Sequence, residues 1–124
     1  MTPTETVDAF LAALVAQDLD AAVALVSDDC EYDNVPMGKN HGPAEIKALL
    51  EPMISACSEV DWIVHRQAAE GNTVFNERLD RFHMPFGWIE VPVTGVFEID
   101  DSGKISLWRD YFDLATYTNQ LPSS

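Results

Sequence analysis

Apolar residues recur at helical spacing in the first part of the chain and at alternate positions in the rest. In "TPTETVDAFLAALVAQD" the residues Val7, Phe10, Leu11 and Leu14 form one helical stripe. Thr2 suits the N-cap, Pro3 the first helical position, and Glu5 completes a capping box. "LDAAVALVSDD" predicts a second, shorter helix capped by Asp18 or Asp20. "CEYDNVPM" predicts a short strand, Gly38 and Gly42 a loop, and "PAEIKALLEPMISAC" a third helix starting at Pro43. Pro52 removes an amide donor inside that helix, which predicts a kink or a break. The period then changes to two. "VDWIVHRQAAE", "TVFNERLDRFHM", "WIEVPVTGVFEID" and "KISLWRDYFDL" predict four strands, with turns at Gly71–Asn72 and at "DDSG". Pro92 places its strand at an edge or a bulge. Helices followed by antiparallel strands predict an α+β fold with the helices on one face of a curved sheet. No linker interrupts the pattern, so residues 1–124 are expected to form a single domain.

Composition narrows the partners. Twenty-one acidic and seven basic residues give a formal charge of −14, which repels phosphate backbones and anionic membranes. Nucleic acid and membrane are therefore not expected partners. Cys30 and Cys57 are isolated, with no Cys-x-x-Cys, as in a reduced cytoplasmic protein. The N-terminus lacks the basic-then-apolar pattern of a signal peptide, and no apolar run approaches the ~20 residues that span a bilayer. His41, His65 and His83 show no paired ligand spacing, so no metal is expected. No glycine-rich phosphate loop supports a nucleotide cofactor, and neither cysteine has a recognisable base.

Strand parity then gathers a polar set. Side chains alternate across a strand, so Arg78 and Asp80 share a face with Val74, Asn76 and Phe82. Tyr32 and Asn34 share a face of the first strand, and Asp110 lies between Trp108 and Phe112 on the last. Taken singly, Arg78 with Asp80 reads as a solvent-facing ion pair worth ~0–1 kcal/mol. Arg109 and Tyr111 occupy the opposite face of the last strand, so parity alone leaves open which face is inside. Taken together, three strands carry polar groups on faces that also carry Val74, Phe82, Trp108 and Phe112. A carboxylate buried there needs donors, because an unpaired buried charge costs several kcal/mol. Arg78, Tyr32 and Asn34 are the obvious supply.

The elements "EYDNVPM", "ERLDRF" and "LWRDYFD", in that order after N-terminal helices, resemble the limonene epoxide hydrolase family of the nuclear-transport-factor-like superfamily. The resemblance runs from the first helix to the last strand. It implies a cone-shaped α+β fold in which about three N-terminal helices and a strongly curved, mixed or antiparallel sheet enclose an apolar pocket. Against limonene-degrading members, the expectation is a missing N-terminal extension.

The resemblance also implies one-step hydrolysis of an epoxide to a vicinal diol, with no covalent intermediate and no cofactor. Asp110 would act as general base on a water held by Tyr32 and Asn34, Asp80 as general acid, and Arg78 as the bridge between the two carboxylates. The partners would be a small apolar epoxide and water. Met37, Val74, Phe82, Trp108 and Phe112 are candidates for the pocket lining, each with plain core as its alternative. Trp62, Phe86 and Trp88 suit either the pocket mouth or an oligomer interface. A homodimer and a cytoplasmic location are expected. The rivals are a ketosteroid-isomerase-like or polyketide-cyclase-like proton-transfer enzyme, and a non-catalytic ligand-binding module of the same fold.

Overall fold

The computed structural model describes residues 1–123, which form four helices and six strands. Helix α1 (Pro3–Val15) begins with the expected capping box: Glu5 N donates to Thr2 Oγ1 and Thr2 N to Glu5 Oε1. Its stripe of Val7, Phe10, Leu11 and Leu14 is buried. Phe10 meets Trp108 edge-on, with ring centroids 4.9 Å apart, which locks α1 onto the inner face of the sheet.

Helix α2 (Leu19–Val23) is shorter than the sequence pattern predicts and is capped by Asp18, whose side chain accepts from Ala21 N. The chain then enters strand β1 (Val26–Asn34), four residues before the expected strand start. The β-sheet outcompetes helix propensity here: Ile105 N donates to Leu25 O, and Val26 pairs with Ile105. Strand β2 (Gly38–His41) occupies what the glycines mark as a loop. It is a short polar edge strand with no apolar alternation to betray it.

Helix α3 (Gly42–Ala56) runs continuously through Pro52, so of the expected kink or break the break does not occur. Gly42 takes φ +81° at its start, and a Cβ there would lie 2.9 Å from Asp28 O. Strands β3 (Glu59–Glu70), β4 (Thr73–Met84), β5 (Gly87–Ile99) and β6 (Ile105–Tyr111) follow, and α4 (Leu114–Thr118) ends the set. The final strand ends at Tyr111, three residues before the expected end at Leu114, and the last helix, which the sequence pattern does not predict, begins there.

The sheet order is β2-β1-β6-β5-β4-β3. β1 and β6 run parallel and the other pairs antiparallel, so the sheet is mixed. Register shifts within β1, in β3 between Val64 and Arg66, and in β6 at Ser106, opposite Glu98 and Ile99 of β5, mark irregularities that bend strands and curl the open sheet. Pro92 lies in an interior strand, yet β5 pairs with β6 only from Thr94 onward. Glu90, two residues earlier and pointing its backbone the same way, bonds instead to the side chain of Gln120. The missing amide of Pro92 therefore faces a flank with no ladder to disrupt. Among the described residues no helix is long and apolar enough to cross a membrane.

Candidate active site

The sheet register builds the site. Asn76 on β4, Gly95 on β5, Asp110 on β6 and Asn34 on β1 form one row across four strands. The neighbouring rows bring Arg78 beside Val93, Asp80 between Trp62 and Val91, and Tyr32 beside Trp108. The alternation of β4 resolves the question that parity left open: Val74, Asn76, Arg78, Asp80 and Phe82 are buried, while Phe75 and Glu77 are exposed. The Arg-x-Asp face is the interior one.

Arg78 is 1% exposed, and its guanidinium holds both aspartates. Nε donates to Asp80 Oδ1 at 3.0 Å and Nη2 to Asp80 Oδ2 at 3.0 Å, a two-pronged grip. Nη2 also donates to Asp110 Oδ2 at 3.0 Å, and Nη1 to Asn76 Oδ1 at 2.8 Å. Asn76 in turn donates to Gln67 Oε1 at 3.0 Å, which settles its amide orientation. The other oxygen of Asp110 accepts from Trp108 Nε1 at 3.0 Å. The Trp62 ring covers the guanidinium, with Cζ 5.1 Å from its centroid. Tyr32 stacks on Trp108, centroids 3.7 Å apart and planes 8° apart.

Burial dominates the electrostatics. It pushes the Asp80 carboxyl up to about 6, although Arg78 pulls the other way. It raises Asp110 as well, against Arg78 and the Trp108 donor. Burial alone would lower Arg78, but Asp110 and Asp80 override it and hold the guanidinium above its ordinary value. Tyr32 is raised well above the usual phenol range by burial and then by the Asp110 charge, so its hydroxyl stays protonated. The five polar residues singled out in the sequence therefore lie in one cluster, with Tyr32 and Asn34 next to Asp110 and Asp80 on the far side of Arg78.

A cavity of about 180 Å³ opens on this cluster. Tyr32, Asn34, Asp80 and Asp110 supply its polar wall, and Trp62, Phe82, Val91 and Val93 continue the sheet side. Leu49, Leu50 and Met53 of α3, Tyr117 of α4, Met37 from the β1–β2 turn and Phe112 just after β6 close the rest. Of the five lining candidates, Met37, Phe82 and Phe112 border the cavity. Val74 and Trp108 do not: both are wholly buried core, and Trp108 acts from behind Asp110 as a donor. Trp62 lines the cavity, whereas Phe86 and Trp88 are not among its lining residues. Trp88 instead carries the Arg81 guanidinium on its ring, with Cζ 4.1 Å from the centroid.

Asn76 could have been found by parity, since it precedes Arg78 by two residues on the same face. The α3 and α4 residues had no such signal. Apolar side chains on a helix read as core until the helix is placed.

The chain is similar to known proteins in sequence and in fold. Epoxide hydrolase EphG of Mycobacterium tuberculosis is 40% identical over 109 residues, 87% of this chain and 71% of that protein. A solved LEH-like epoxide hydrolase of M. tuberculosis superposes with a TM-score of 0.83 at 36% identity, covering 94% of this chain and 86% of that one. A SnoaL-like polyketide cyclase from Shewanella denitrificans reaches a TM-score of 0.87 at 16% identity over 95% of each chain, a likeness of fold alone. The model of the limonene-1,2-epoxide hydrolase catalytic domain matches residues 1–123, and the chain belongs to that family.

Proposed function

We propose that the protein hydrolyses a small apolar epoxide to a vicinal diol in one step, by direct attack of water. The observation that carries this reading is the Arg78 bridge between two buried carboxylates at the polar wall of an otherwise apolar cavity. Asp110 is the base, because Asn34 pairs with it in the sheet register and Tyr32, paired with Trp108 in the neighbouring row, lines the same cavity wall, and both are groups suited to hold a water. Asp80 is the acid: it sits among Trp62, Phe82 and Val91, where the protonated form is favoured, and burial raises its pKa accordingly. As the water oxygen bonds to an epoxide carbon, its proton passes to Asp110. The carbon–oxygen bond breaks and the leaving oxygen takes the proton of Asp80. Turnover ends with the proton on Asp110 and the charge on Asp80, and one proton transfer back resets the pair. General acid and base each contribute on the order of 10²–10⁴-fold.

The test is incubation of the purified protein with a panel of apolar epoxides. Diol should form with the wild type and fall by ~10²-fold or more with Asp110→Asn at unchanged circular dichroism. A single turnover in heavy-oxygen water should label the diol. Label in an aspartate refutes direct attack. No diol from any epoxide, with isomerisation of a β,γ-unsaturated ketone instead, replaces the reading with the isomerase one.

The reading includes a homodimer in the cytoplasm. Ile63, Phe75 and Tyr111 expose apolar area on the sheet, as an interface would. Cys30 and Cys57 are free and buried, which suits a reducing compartment. Light scattering at micromolar concentration should give twice the 13.8 kDa chain mass. A monomer refutes the dimer.

A further inference from the structure

Arg78 and Asp110 are on β4 and β6, with β5 between them. Neighbouring strands lie ~4.8 Å apart, so the Arg78 side chain must cross ~9–10 Å over β5 to reach Asp110. Whatever stands on β5 at the crossing must leave room. That position is Gly95, paired with Asn76 on one side and Asp110 on the other. A Cβ built on Gly95 would lie 2.3 Å from Arg78 Nη1, 2.8 Å from Asn76 Oδ1 and 3.0 Å from Asp110 Oδ1. Three of the groups that hold the bridge together converge on the space a side chain would fill.

Backbone strain is not the reason for glycine here. Gly95 is not among the glycines with positive φ, and a strand interior ordinarily favours alanine over glycine. Neither can the obstacle swing aside like a surface lysine. The guanidinium is tied by four hydrogen bonds to Asp80, Asp110 and Asn76 and is capped by Trp62.

We propose that Gly95 is a positioning residue: its missing side chain is the slot through which Arg78 reaches Asp110 and sets the two carboxylates. Its effect on turnover rests on the hydrolase reading; its effect on the cluster does not. An ordinary carbon–nitrogen contact is ~3.5 Å, so a methyl at 95 displaces Nη1 by ~1 Å. A misplacement of that size costs about a hundredfold in rate.

The experiment compares wild type, Gly95→Ala, Arg78→Lys and the double variant. Gly95→Ala should lose about a hundredfold in kcat on the wild type's best epoxide, with KM within about twofold, because the apolar lining is untouched. Its urea midpoint should fall. In the Arg78→Lys background, which lacks Nη1, the alanine should lower the midpoint by much less, because only its contacts with Asn76 Oδ1 and Asp110 Oδ1 remain. A wild-type kcat in Gly95→Ala, or an equal fall in midpoint in both backgrounds, overturns the proposal. If Gly95→Ala alone does not fold, a double variant that folds with a midpoint near that of Arg78→Lys supports the slot and an unfolded double variant refutes it. If the wild type turns over no epoxide, the hydrolase reading falls and the midpoints alone decide the role of Gly95.

Discussion

Replacing Arg78 by methionine separates a buried bridge from a surface ion pair. The methionine keeps the apolar stem but removes all four guanidinium bonds to Asp80, Asp110 and Asn76. Asp80 and Asp110, 4% and 3% exposed, are then left without their cation. Stranding a buried charge in this way costs ~3–5 kcal/mol, where loss of a surface pair costs ~0–1. Protonation limits the penalty. An aspartate with an unfolded value near 3.9 takes up a proton at about pH 8 for ~1.36 × 4.1, or about 5–6 kcal/mol, and at about pH 5 for only ~1.5. The folded variant binds these protons more tightly than its unfolded chain does, so raising the pH favours unfolding. The loss of stability should be ~3–5 kcal/mol at about pH 8 and shrink to ~1–2 at about pH 5. Urea denaturation followed by tryptophan fluorescence reads this directly. A loss below ~1 kcal/mol at both pH values would refute the buried bridge.

Asp80 makes a related prediction in the wild type. Its folded value, about 6, lies above its unfolded one, so the folded state holds the extra proton. Stability should fall as pH rises from ~4 through ~6, by roughly 2–3 kcal/mol, and Asp80→Asn should flatten that slope in urea titrations. The kcat profile should fall on the alkaline side as Asp80 loses its proton and on the acid side as Asp110 gains one. An alkaline limb that persists in full in Asp80→Glu and Asp80→Asn alike assigns it elsewhere. Gln120 ties the turn after α4 to β5, accepting from Glu90 N and donating to Glu90 O and Thr116 O, while Tyr117 of α4 lines the cavity. Gln120→Ala should loosen that wall and raise KM severalfold with kcat little changed; an unchanged KM would show that α4 holds its place without the clamp.

Local physics made much of the fold legible. The Thr2–Glu5 box needs only residues three apart, and the α1 stripe needs only a helical period. The long strands β3 to β6 announce themselves by alternation. What misled was local in the same way. "VSDD" continues a helical pattern, and only Ile105, far along the chain, offers its backbone the bonds that turn it into β1. β2 carries no apolar side chain in "GKNH" and exists because β1 presents an edge to it. Pro52 costs α3 one bond, which the remaining turns tolerate.

The sequence by itself determined which residues share a face: the period of a strand is two, so Arg78 must point with Asp80 and Asn76, and Tyr32 with Asn34. It also determined a helical first part and a stranded second part. Only the tertiary structure decided that these faces turn inward and which positions stand side by side. Register is a property of pairs of strands, and no single strand encodes it. The β4–β5–β6 register puts Gly95 between Asn76 and Asp110, so one arginine spans two aspartates 32 and 2 residues away in the chain. The same register leaves Trp108 behind the site and brings Trp62 and α3 in front of it, because distance along the chain says nothing about which apolar side chain meets a cavity and which fills the core.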